Sequence, residues 1–395
     1  MKRLSIALIS LIVLSACSTT HPLEKRVNKD NFQTVTVEPS AELTSKSQAQ
    51  AEPLRFWANQ QPEFLLSENN TTPLKVNGER LNFLALSGGG ADGAYGAGAL
   101  VGLHDQQQLP EFTIITGISA GALIAPFVFA GEDQDFEALK AAMLSITDDK
   151  ILGKKNILNV LFKDAFAKKE SLLTLIQETY TSDMIERIAQ QHQQGRRLFI
   201  GTTHFDSGEQ ITWNIGAIAA SDLVNRQALI HQVLAASASI PGVFPPQFVE
   251  VYQQGEKFEE LHVDGGLSYQ MFFDPSGYDY SKVSKALGLN EKPKVYVIRN
   301  GELSNDYQPV PDKSVGLISR SVHSLILRQA RGDYYRMMYM SQKNNFEIAL
   351  TYIDTDFVSY KKPKVMFDTQ HIYNLYQHAY RKAQRGELWV SELPN

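Results

Sequence analysis

The strongest constraint in this sequence is the stretch of residues 81–98, in which an apolar run passes directly into a series of glycines. Residues 113–121 repeat the pattern: TIIT is followed by a Gly-Ile-Ser-Ala-Gly turn and then by an apolar segment that suits a helix. Glycine adopts backbone conformations that other residues avoid, and it lets other groups approach the backbone closely. The sequence therefore predicts two strand-turn-helix units, each with a glycine-rich turn.

The first turn has the glycine content of a phosphate-binding loop but not the rest of that motif. A dinucleotide site needs an acidic residue placed to hold a ribose, and a P-loop needs a lysine after its glycines. Neither follows here. The second turn decides between the alternatives, because residues 117–121 form the GxSxG pattern of a nucleophile elbow, which would present the hydroxyl of Ser119.

The two turns together suit acyl transfer. A serine that attacks a carbonyl carbon needs N–H donors directed at the developing oxyanion, and removing one such donor typically costs about 3 kcal/mol in the transition state. We expect these donors at Gly88, Gly89 and Gly90, joined by Ala120 beside the nucleophile. Ser119 is thus predicted to be the nucleophile and the glycine loop to be the oxyanion hole.

Four ordered motifs within residues 80–300 resemble those of the patatin-like phospholipases. They are Ser-Gly-Gly-Gly at 87–90, Gly-Ile-Ser-Ala-Gly at 117–121, ASASIPGVFPP at 236–246 and Asp-Gly-Gly at 264–266. The resemblance implies a Ser-Asp dyad, in which the carboxylate of Asp264 takes the proton of Ser119 directly. It implies a lipid acyl hydrolase of the phospholipase A or lysophospholipase type, which forms an acyl-enzyme.

The resemblance also implies that the proline-rich block forms a wall of the acyl pocket, with Pro241, Phe244 and Pro245. The alternative is a plain connecting loop. The glycine loop departs from the family at one position, since this chain has Asp92 where the family usually has a basic residue. An acid there either weakens the stabilisation of the oxyanion or points to solvent.

A histidine is the alternative base, as in the Ser-Asp-His order of the α/β-hydrolases. Three histidines follow Asp264 and keep this order available: His323, His371 and His378. Asp264 already lies at a predicted strand end with two glycines beside it, and the family resemblance needs no histidine. We therefore favour the dyad.

Two other functions remain as alternatives. One is an anchored esterase or thioesterase that acts on esters other than phospholipids, and the other is a lipoprotein that kept the fold but only binds lipid. No CxxC, HExxH or calcium-loop pattern is present, so neither a metal nor a cofactor is expected. The formal net charge of −5 argues against a nucleic-acid partner and against strong attraction to anionic lipid.

Residues 1–16 have the features of a bacterial lipoprotein signal peptide. Lys2 and Arg3 precede an apolar run that leads through small residues to Cys17, the only cysteine in the sequence. The alternative is an ordinary signal peptide or an uncleaved anchor. Diacylation of Cys17 would occupy a thiol that has no internal partner and would give stable anchoring.

The expected location is therefore the bacterial cell envelope, with a lipid anchor. Ser18 after the cysteine resembles lipoproteins that are sorted to the outer membrane. Residues 17–53 are polar, with few large apolar side chains, and are predicted to form a flexible tether. Residues 54–395 are predicted to form one catalytic domain.

Strands alternate with helices through this domain. Strands are predicted at 197–204, 210–214, 261–264, 294–299 and 346–353, and helices at 221–238, 315–340 and 371–385, besides the two units above. Residues 132–195 are predicted to form helices that cap the site. This alternation predicts an α/β fold of three layers, α/β/α, with a mostly parallel central sheet, as the patatin-like resemblance also implies.

Overall fold

The structure is a computed structural model, which describes residues 25–38, 52–152, 169–304, 307, 309–310, 312–354, 357 and 365–391. The predicted signal peptide, Cys17 and most of the predicted tether lie outside these residues. Among the helices in the described ranges, none has both the length and the hydropathy needed to cross a bilayer.

The strands of the described chain form one mixed sheet. They are β1 (Arg55–Trp57), β2 (Asn82–Leu86), β3 (Ile114–Gly117), β4 (Arg197–His204), β5 (Glu209–Asn214), β6 (Gln247–Gln253), β7 (Glu256–Asp264), β8 (Lys294–Arg299) and β9 (Glu347–Tyr352). The order is β1-β5-β4-β3-β2-β8-β9, and the β6-β7 hairpin attaches to β4. Strands β4, β3, β2, β8 and β9 run parallel, so their carboxyl ends meet at one edge of the sheet.

Helices cover both faces of this sheet. In the described residues they are α1 (Gly93–Asp105), α2 (Ala120–Ala130), α3 (Asp133–Leu144), α4 (Asp148–Leu152), α5 (Lys169–Thr179), α6 (Ser182–Gln193), α7 (Ile215–Ala220), α8 (Arg226–Ser237), α9 (Ser281–Ala286), α10 (Ser314–Asn344) and α11 (Thr369–Gln384). Alternate strand residues face opposite sides. Leu84 and Leu86 join the core under α1, α2 and α11, whereas Phe83 and Ala85 join the core under α10. The predicted three-layer fold with a mostly parallel central sheet is confirmed.

Two predicted elements have other limits in the structure. The helix predicted for residues 221–238 begins at Arg226, because α7 precedes it and Ser221 ends α7 by donating to the carbonyl of Ile218 at 2.7 Å. In the block after this helix, the two prolines at 245 and 246 predict an extended backbone from Val243 onward. Instead, residues 241–244 form a turn, in which Phe244 N donates to the carbonyl of Ile240 at 2.9 Å.

Part of the predicted tether is packed on the domain. Residues 25–38 lie along the β6-β7 hairpin, where Val27 N donates to the carbonyl of Glu259 at 3.1 Å. Three valines of this segment are buried: Val27, Val35 and Val37. The prediction of a flexible tether over all of residues 17–53 is therefore wrong for this part, because a few spaced apolar side chains bury enough surface to hold a polar segment in place.

Candidate active site

Ser119 lies in the sharp turn between β3 and α2, where a nucleophile elbow was predicted. Its backbone has φ 52° and ψ −120°, a conformation that costs a non-glycine residue of the order of 1–3 kcal/mol. The inner side of the turn has no free space, since a Cβ atom at Gly121 would lie 2.4 Å from the carbonyl oxygen of Leu86. Glycine at position 121 is therefore required for the elbow to approach β2.

Strand β7 reaches this elbow from the opposite direction. Strand β3 pairs with β4 up to Gly117, which lies opposite Ile200. Strand β7 pairs with the same edge of β4 in the antiparallel sense, and its last residue, Asp264, lies opposite Thr202. The ends of β3 and β7 thus meet along β4, and this brings the carboxyl group of Asp264 next to Ser119.

The carboxyl group of Asp264 is buried but only partly paired. Its Oδ1 accepts a hydrogen bond from Gly266 N at 2.7 Å. Its Oδ2 is buried and has no hydrogen bond of standard geometry to a described residue. Burial raises the pKa of Asp264 to about 6, although the Ser119 hydroxyl and the Gly266 N–H both lower it.

The Ser119 hydroxyl is therefore near enough to stabilise the Asp264 carboxylate, in a geometry short of a standard hydrogen bond. Catalytic hydrogen bonds of this kind often tighten only when substrate is bound. A carboxylate with a pKa near 6 is mostly ionised at neutral pH, and it is more basic than an ordinary aspartate. This arrangement suits a general base that acts on the serine.

The predicted oxyanion donors are not all available. Gly88 N donates to the carbonyl of Gln270 at 3.0 Å, so its N–H is already used. Within the described residues, the N–H groups of Gly89, Gly90 and Ala120 donate no hydrogen bond. Gly88 therefore supports the loop rather than the oxyanion, and the other three remain candidate donors.

Two residues at the end of β8 hold the glycine loop. Asn300 donates from N to Ser87 Oγ and from Nδ2 to Ser87 O, both at 2.8 Å, and its Oδ1 accepts from Gly96 N at 3.0 Å. Arg299 is buried and donates from Nη1 to the carbonyl of Gly88 at 2.9 Å. Burial lowers the pKa of Arg299 to about 10, so this guanidinium keeps its charge at neutral pH.

Sequence analysis missed Arg299 and Asn300. The loop fits so closely here that a Cβ atom at Gly89 would lie 2.0 Å from the carbonyl oxygen of Asn300. Their only signal was polar character at the end of a predicted strand, where sites of α/β proteins usually lie. The glycine loop carries Asp92 instead of a basic residue. Arg299, at the end of β8, instead places a positive charge behind this loop.

Asp92 itself is paired on the outside of the loop. Its Oδ1 lies 2.9 Å from Nε2 of His371, and this contact raises the pKa of His371. His378 lies 3.7 Å from Asp354 through Nε2, and His323 is exposed on α10. None of the three histidines lines the described part of the cavity at Ser119. The Ser-Asp-His alternative thus gains no support from the geometry.

A mostly apolar cavity of about 150 Å³ opens beside Ser119. It lies between α2 and the helices α3, α4 and α5, which belong to the predicted cap. Its apolar lining includes Leu123, Ile124, Phe127, Leu139, Met143, Ile146, Ile151, Leu172, Leu175, Ile176 and Phe244. The hydroxyl of Tyr180, one of the few polar groups, donates to the carbonyl of Leu123 at 2.5 Å. The cavity therefore suits a hydrocarbon chain.

The predicted pocket residues are only partly placed there. Phe244 lines the cavity, but Pro241 and Pro245 are not among the described residues of its wall. The turn at residues 241–244 points Phe244 inward and leaves Pro241 exposed. The wall comes instead from the cap helices, whose positions depend on long-range packing that the proline-rich block does not reveal.

Ser237 is a further residue that sequence analysis did not single out. Ser119 N donates to Ser237 Oγ at 3.0 Å, and Ser237 Oγ donates to the carbonyl of Gly201 at 2.7 Å. The side chain is fully buried. Ser237 thus ties the backbone of the elbow to β4. Its signal in the sequence was its place in the ASASIPG block.

The fold and the site define a class: a three-layer α/β protein with a serine elbow and a buried acid at the carboxyl edge of its parallel strands. Residues 84–275 match the family model described as Patatin-like phospholipase. The matched region is just under half of the chain and contains both Ser119 and Asp264. The match supports the patatin-like family for this protein. No curated protein matches the chain by sequence.

Several solved structures are similar to parts of this chain. VipD from Legionella pneumophila is 14% identical, with a TM-score of 0.39, over 88% of this chain and 72% of that one. The type III effector protein ExoU is 12% identical, with a TM-score of 0.24, over 78% and 53%. Human GIVD cytosolic phospholipase A2 is 9% identical, with a TM-score of 0.31, over 78% and 58%.

Proposed function

We propose that this protein is a lipid acyl hydrolase, of the phospholipase A or lysophospholipase type, which cleaves carboxylic esters through a Ser119-Asp264 dyad. The observation that carries the proposal is the position of Ser119, between the half-paired carboxyl group of Asp264 and an apolar cavity. The family match supports a lipid hydrolase in general. The dyad and the substrate class are our own proposals.

In the proposed mechanism, the Asp264 carboxylate takes the proton of Ser119 as Oγ attacks the ester carbonyl carbon. The oxyanion that forms accepts hydrogen bonds from the N–H groups of Gly89, Gly90 and Ala120. The tetrahedral intermediate expels the alcohol, which takes the proton from Asp264, and leaves an acyl group on Ser119. Asp264 then takes a proton from a water molecule that attacks the acyl-enzyme, and it returns this proton to Ser119 Oγ as the fatty acid is released.

The apolar cavity beside Ser119 supports a long acyl chain as the bound part of the substrate. Most of its described lining is aliphatic or aromatic, so a substrate with a short or polar acyl group would bury little apolar surface there. Arg299 keeps a charged guanidinium behind the oxyanion loop and orients the carbonyl of Gly88. This compensates for the missing basic residue in the loop and argues against a protein that only binds lipid.

The proposal extends to the N-terminus. We expect residues 1–16 to be removed as a signal peptide, Cys17 to be acylated, and the protein to reside in the bacterial cell envelope, at the outer membrane. What supports this is the charged start, the short apolar run and the lone cysteine. Metabolic labelling with a fatty acid, compared between wild type and Cys17→Ser, tests this part separately from catalysis.

The dyad is tested by labelling the full-length chain with a fluorescent fluorophosphonate, which traps nucleophilic serines. We expect wild type to be labelled, Ser119→Ala not to be labelled, and Asp264→Asn to be labelled far more slowly. Ser145 also lines the cavity, so Ser145→Ala is a matched control that should label like wild type. A folded wild type that resists labelling would overturn the hydrolase proposal in favour of a lipid-binding protein.

The substrate class is tested with wild-type protein, once the fluorophosphonate has been shown to label it. Rates on a phospholipid, on a long-chain thioester and on a short water-soluble ester should rank the phospholipid first, because its acyl chain fills the cavity. A preference for the short ester or the thioester would identify an anchored esterase or thioesterase instead. Ser119→Ala should abolish all three activities.

A further inference from the structure

Helix α10 is much longer than the part of the sheet that it covers. Its 31 residues span about 46 Å, whereas β8 and β9, with 6 residues each, span about 20 Å. The helix runs antiparallel to these strands, because it follows the carboxyl end of β8 and ends just before β9 starts. One end of α10 must therefore extend past the sheet.

Contacts of Asp333 show which end extends. Its Oδ2 accepts a hydrogen bond from Gln270 N at 2.7 Å, next to the oxyanion loop at the carboxyl edge of the sheet. From Asp333 to the end of the helix is about 17 Å, which matches the strands. The part before Asp333 is about 28 Å long and projects past the edge where Ser119 lies.

The outer part of this projection, residues 314–326, is called the α10 overhang below. No described side chain in it is buried. It nevertheless carries five large apolar residues within one half of the helix circumference: Leu317, Ile318, Val322, Leu325 and Ile326. Leu325 is 69% exposed and Ile318 is 64% exposed. A contiguous apolar surface of this kind marks a site of interaction.

The charge of this region differs from that of the whole chain. Between Lys313 and Gly332 the sequence contains no aspartate or glutamate. The positive residues of this stretch are Lys313, Arg320, Arg328 and Arg331. The formal net charge of the chain is −5, so this stretch, which lies between Asp312 and Asp333 and includes the overhang, is positive in a chain that is negative as a whole. A helix with exposed apolar residues and a basic flank is typical of elements that lie in the surface of an anionic membrane.

Just after the overhang, α10 contacts the segment that follows Asp264. Gln329 Nε2 donates to the carbonyl of Ser268 at 2.9 Å, only a few residues after Asp264. The overhang thus continues, in one helix, an element that packs a few residues from Asp264. Whatever surface the overhang contacts therefore lies on the side of the carboxyl edge of the sheet, where Ser119 also lies.

We propose that the α10 overhang inserts its apolar side into the surface of an anionic phospholipid membrane and so sets the site of Ser119 at that surface. The catalytic role of this insertion rests on the proposed lipid hydrolase function, whereas the insertion itself does not depend on it. The alternative occupant is a second copy of the chain. The membrane is favoured because two copies of this stretch would bring like charges together, whereas anionic headgroups neutralise them.

The insertion is tested at the level of single residues. Cys17 is the only cysteine, so Cys17→Ser in the full-length chain removes the proposed lipid anchor and allows one new cysteine to be labelled. Leu325→Cys reports on the overhang. Tyr339→Cys is the matched control, because Tyr339 is also exposed, at 63%, on the part of α10 beside the sheet. Each is labelled with an environment-sensitive NBD dye.

With phosphatidylcholine vesicles that contain phosphatidylglycerol, we expect the dye at 325 to shift to the blue and to be quenched by spin-labelled lipid. The dye at 339 should do neither. A dye at 325 that stays in water on these vesicles overturns the proposal, as does an equal shift on phosphatidylcholine alone. A shift that follows protein concentration without vesicles would instead identify self-association.

A second experiment links the insertion to catalysis. Ile318→Asp with Leu325→Asp should slow the hydrolysis of vesicle phospholipid by at least about tenfold, because two inserted apolar side chains are lost. The rate on a short soluble ester should not change, and Tyr339→Asp should leave both rates as in wild type. Equal losses on both substrates would contradict the proposal. If wild type hydrolyses neither substrate, the proposed function fails while the dye measurement still tests the insertion.

Discussion

Glu260 and Asp264 lie on the same strand, β7, and both carboxyl groups are buried, yet their pKa values move in opposite directions. Burial pushes both upward. At Glu260 the charge of Arg55 and the hydrogen bond with His262 more than offset burial, and the pKa lies well below its usual range. At Asp264 the Ser119 hydroxyl and one N–H group do not offset burial, and the pKa rises to about 6.

The difference lies in the partners rather than in the depth of burial. Glu260 Oε1 is 3.1 Å from Arg55 Nη2, and Oε2 is 3.0 Å from His262 Nε2, so both oxygens are engaged. Asp264 keeps one oxygen without a standard hydrogen bond. A fully paired buried acid is fixed in its ionised form, whereas a half-paired one can exchange a proton. We therefore expect Glu260 to stabilise the fold through its buried ion pair, and Asp264 remains the candidate base.

The largest expected difference between the two acids is in activity. Asp264→Asn should lower kcat on a soluble ester by about a thousandfold or more, because the serine loses its base. Glu260→Gln should change kcat by less than about tenfold. Both rates are measured on protein whose circular dichroism matches wild type. A large loss in Glu260→Gln with a small one in Asp264→Asn would reverse the assignment.

Stability should respond in the opposite way. Glu260→Gln at neutral pH should destabilise the fold by about 3–5 kcal/mol, because it leaves the charge of Arg55 buried without its partner. Urea unfolding measures this change. Since the folded pKa of Glu260 is depressed, the loss should shrink as the pH falls below the ordinary pKa of a glutamate. Glu256→Gln is the control: its exposed ion pair with Lys25 should be worth at most about 1 kcal/mol.

Asp264→Asn should stabilise the fold above pH 6. The folded pKa of about 6 lies above the ordinary 3.8, so the contribution of Asp264 to stability is fully present below about pH 4 and is lost as the pH rises through 6. The neutral amide avoids this loss, and the gain should reach of the order of 3 kcal/mol. Thermal unfolding of both proteins at pH 4 and pH 8 gives the test. Equal differences at the two pH values would show that Asp264 is not the group responsible.

The smallest expected effect is in the pH dependence of catalysis. Asp264 must be ionised to take the serine proton, so kcat/KM on a soluble ester should fall by about tenfold for each pH unit below about 6. Above this value it should be level until another group titrates. Glu260→Gln should leave the midpoint unchanged. A midpoint that moves in Glu260→Gln would mean that the two acids are coupled.

Local patterns in the sequence were sufficient for the parallel strands and for the elbow. Strands such as β8 and β9 are short apolar runs, and the elbow is a contiguous motif, so both can be recognised without knowing their neighbours. The β6-β7 hairpin was missed except for its last residues, because its second strand begins with charged side chains and its turn uses Gln254 and Gly255, both at positive φ, rather than Asn-Gly.

The supporting residues of the site depend on which strands become neighbours. Arg299 touches the glycine loop only because β8 pairs with β2 across more than half of the chain. Nothing in the local sequence specifies that pairing. The same holds for the cavity wall, since helices α3, α4 and α5 meet Ser119 through packing and not through a motif.

The docking of residues 25–38 on the β6-β7 hairpin changes how far a lipid anchor would let the enzyme move. A free tether over residues 17–53 could reach about 125 Å when extended, whereas the chain from Cys17 to Lys25 reaches at most about 29 Å. Lys25 is held at the hairpin by its ion pair with Glu256 and by its carbonyl, which accepts from Glu259 N. If Cys17 is acylated as proposed, the hairpin stays within that distance of the bilayer. The anchor then limits how the enzyme can tilt and rotate, as well as confining it to the membrane.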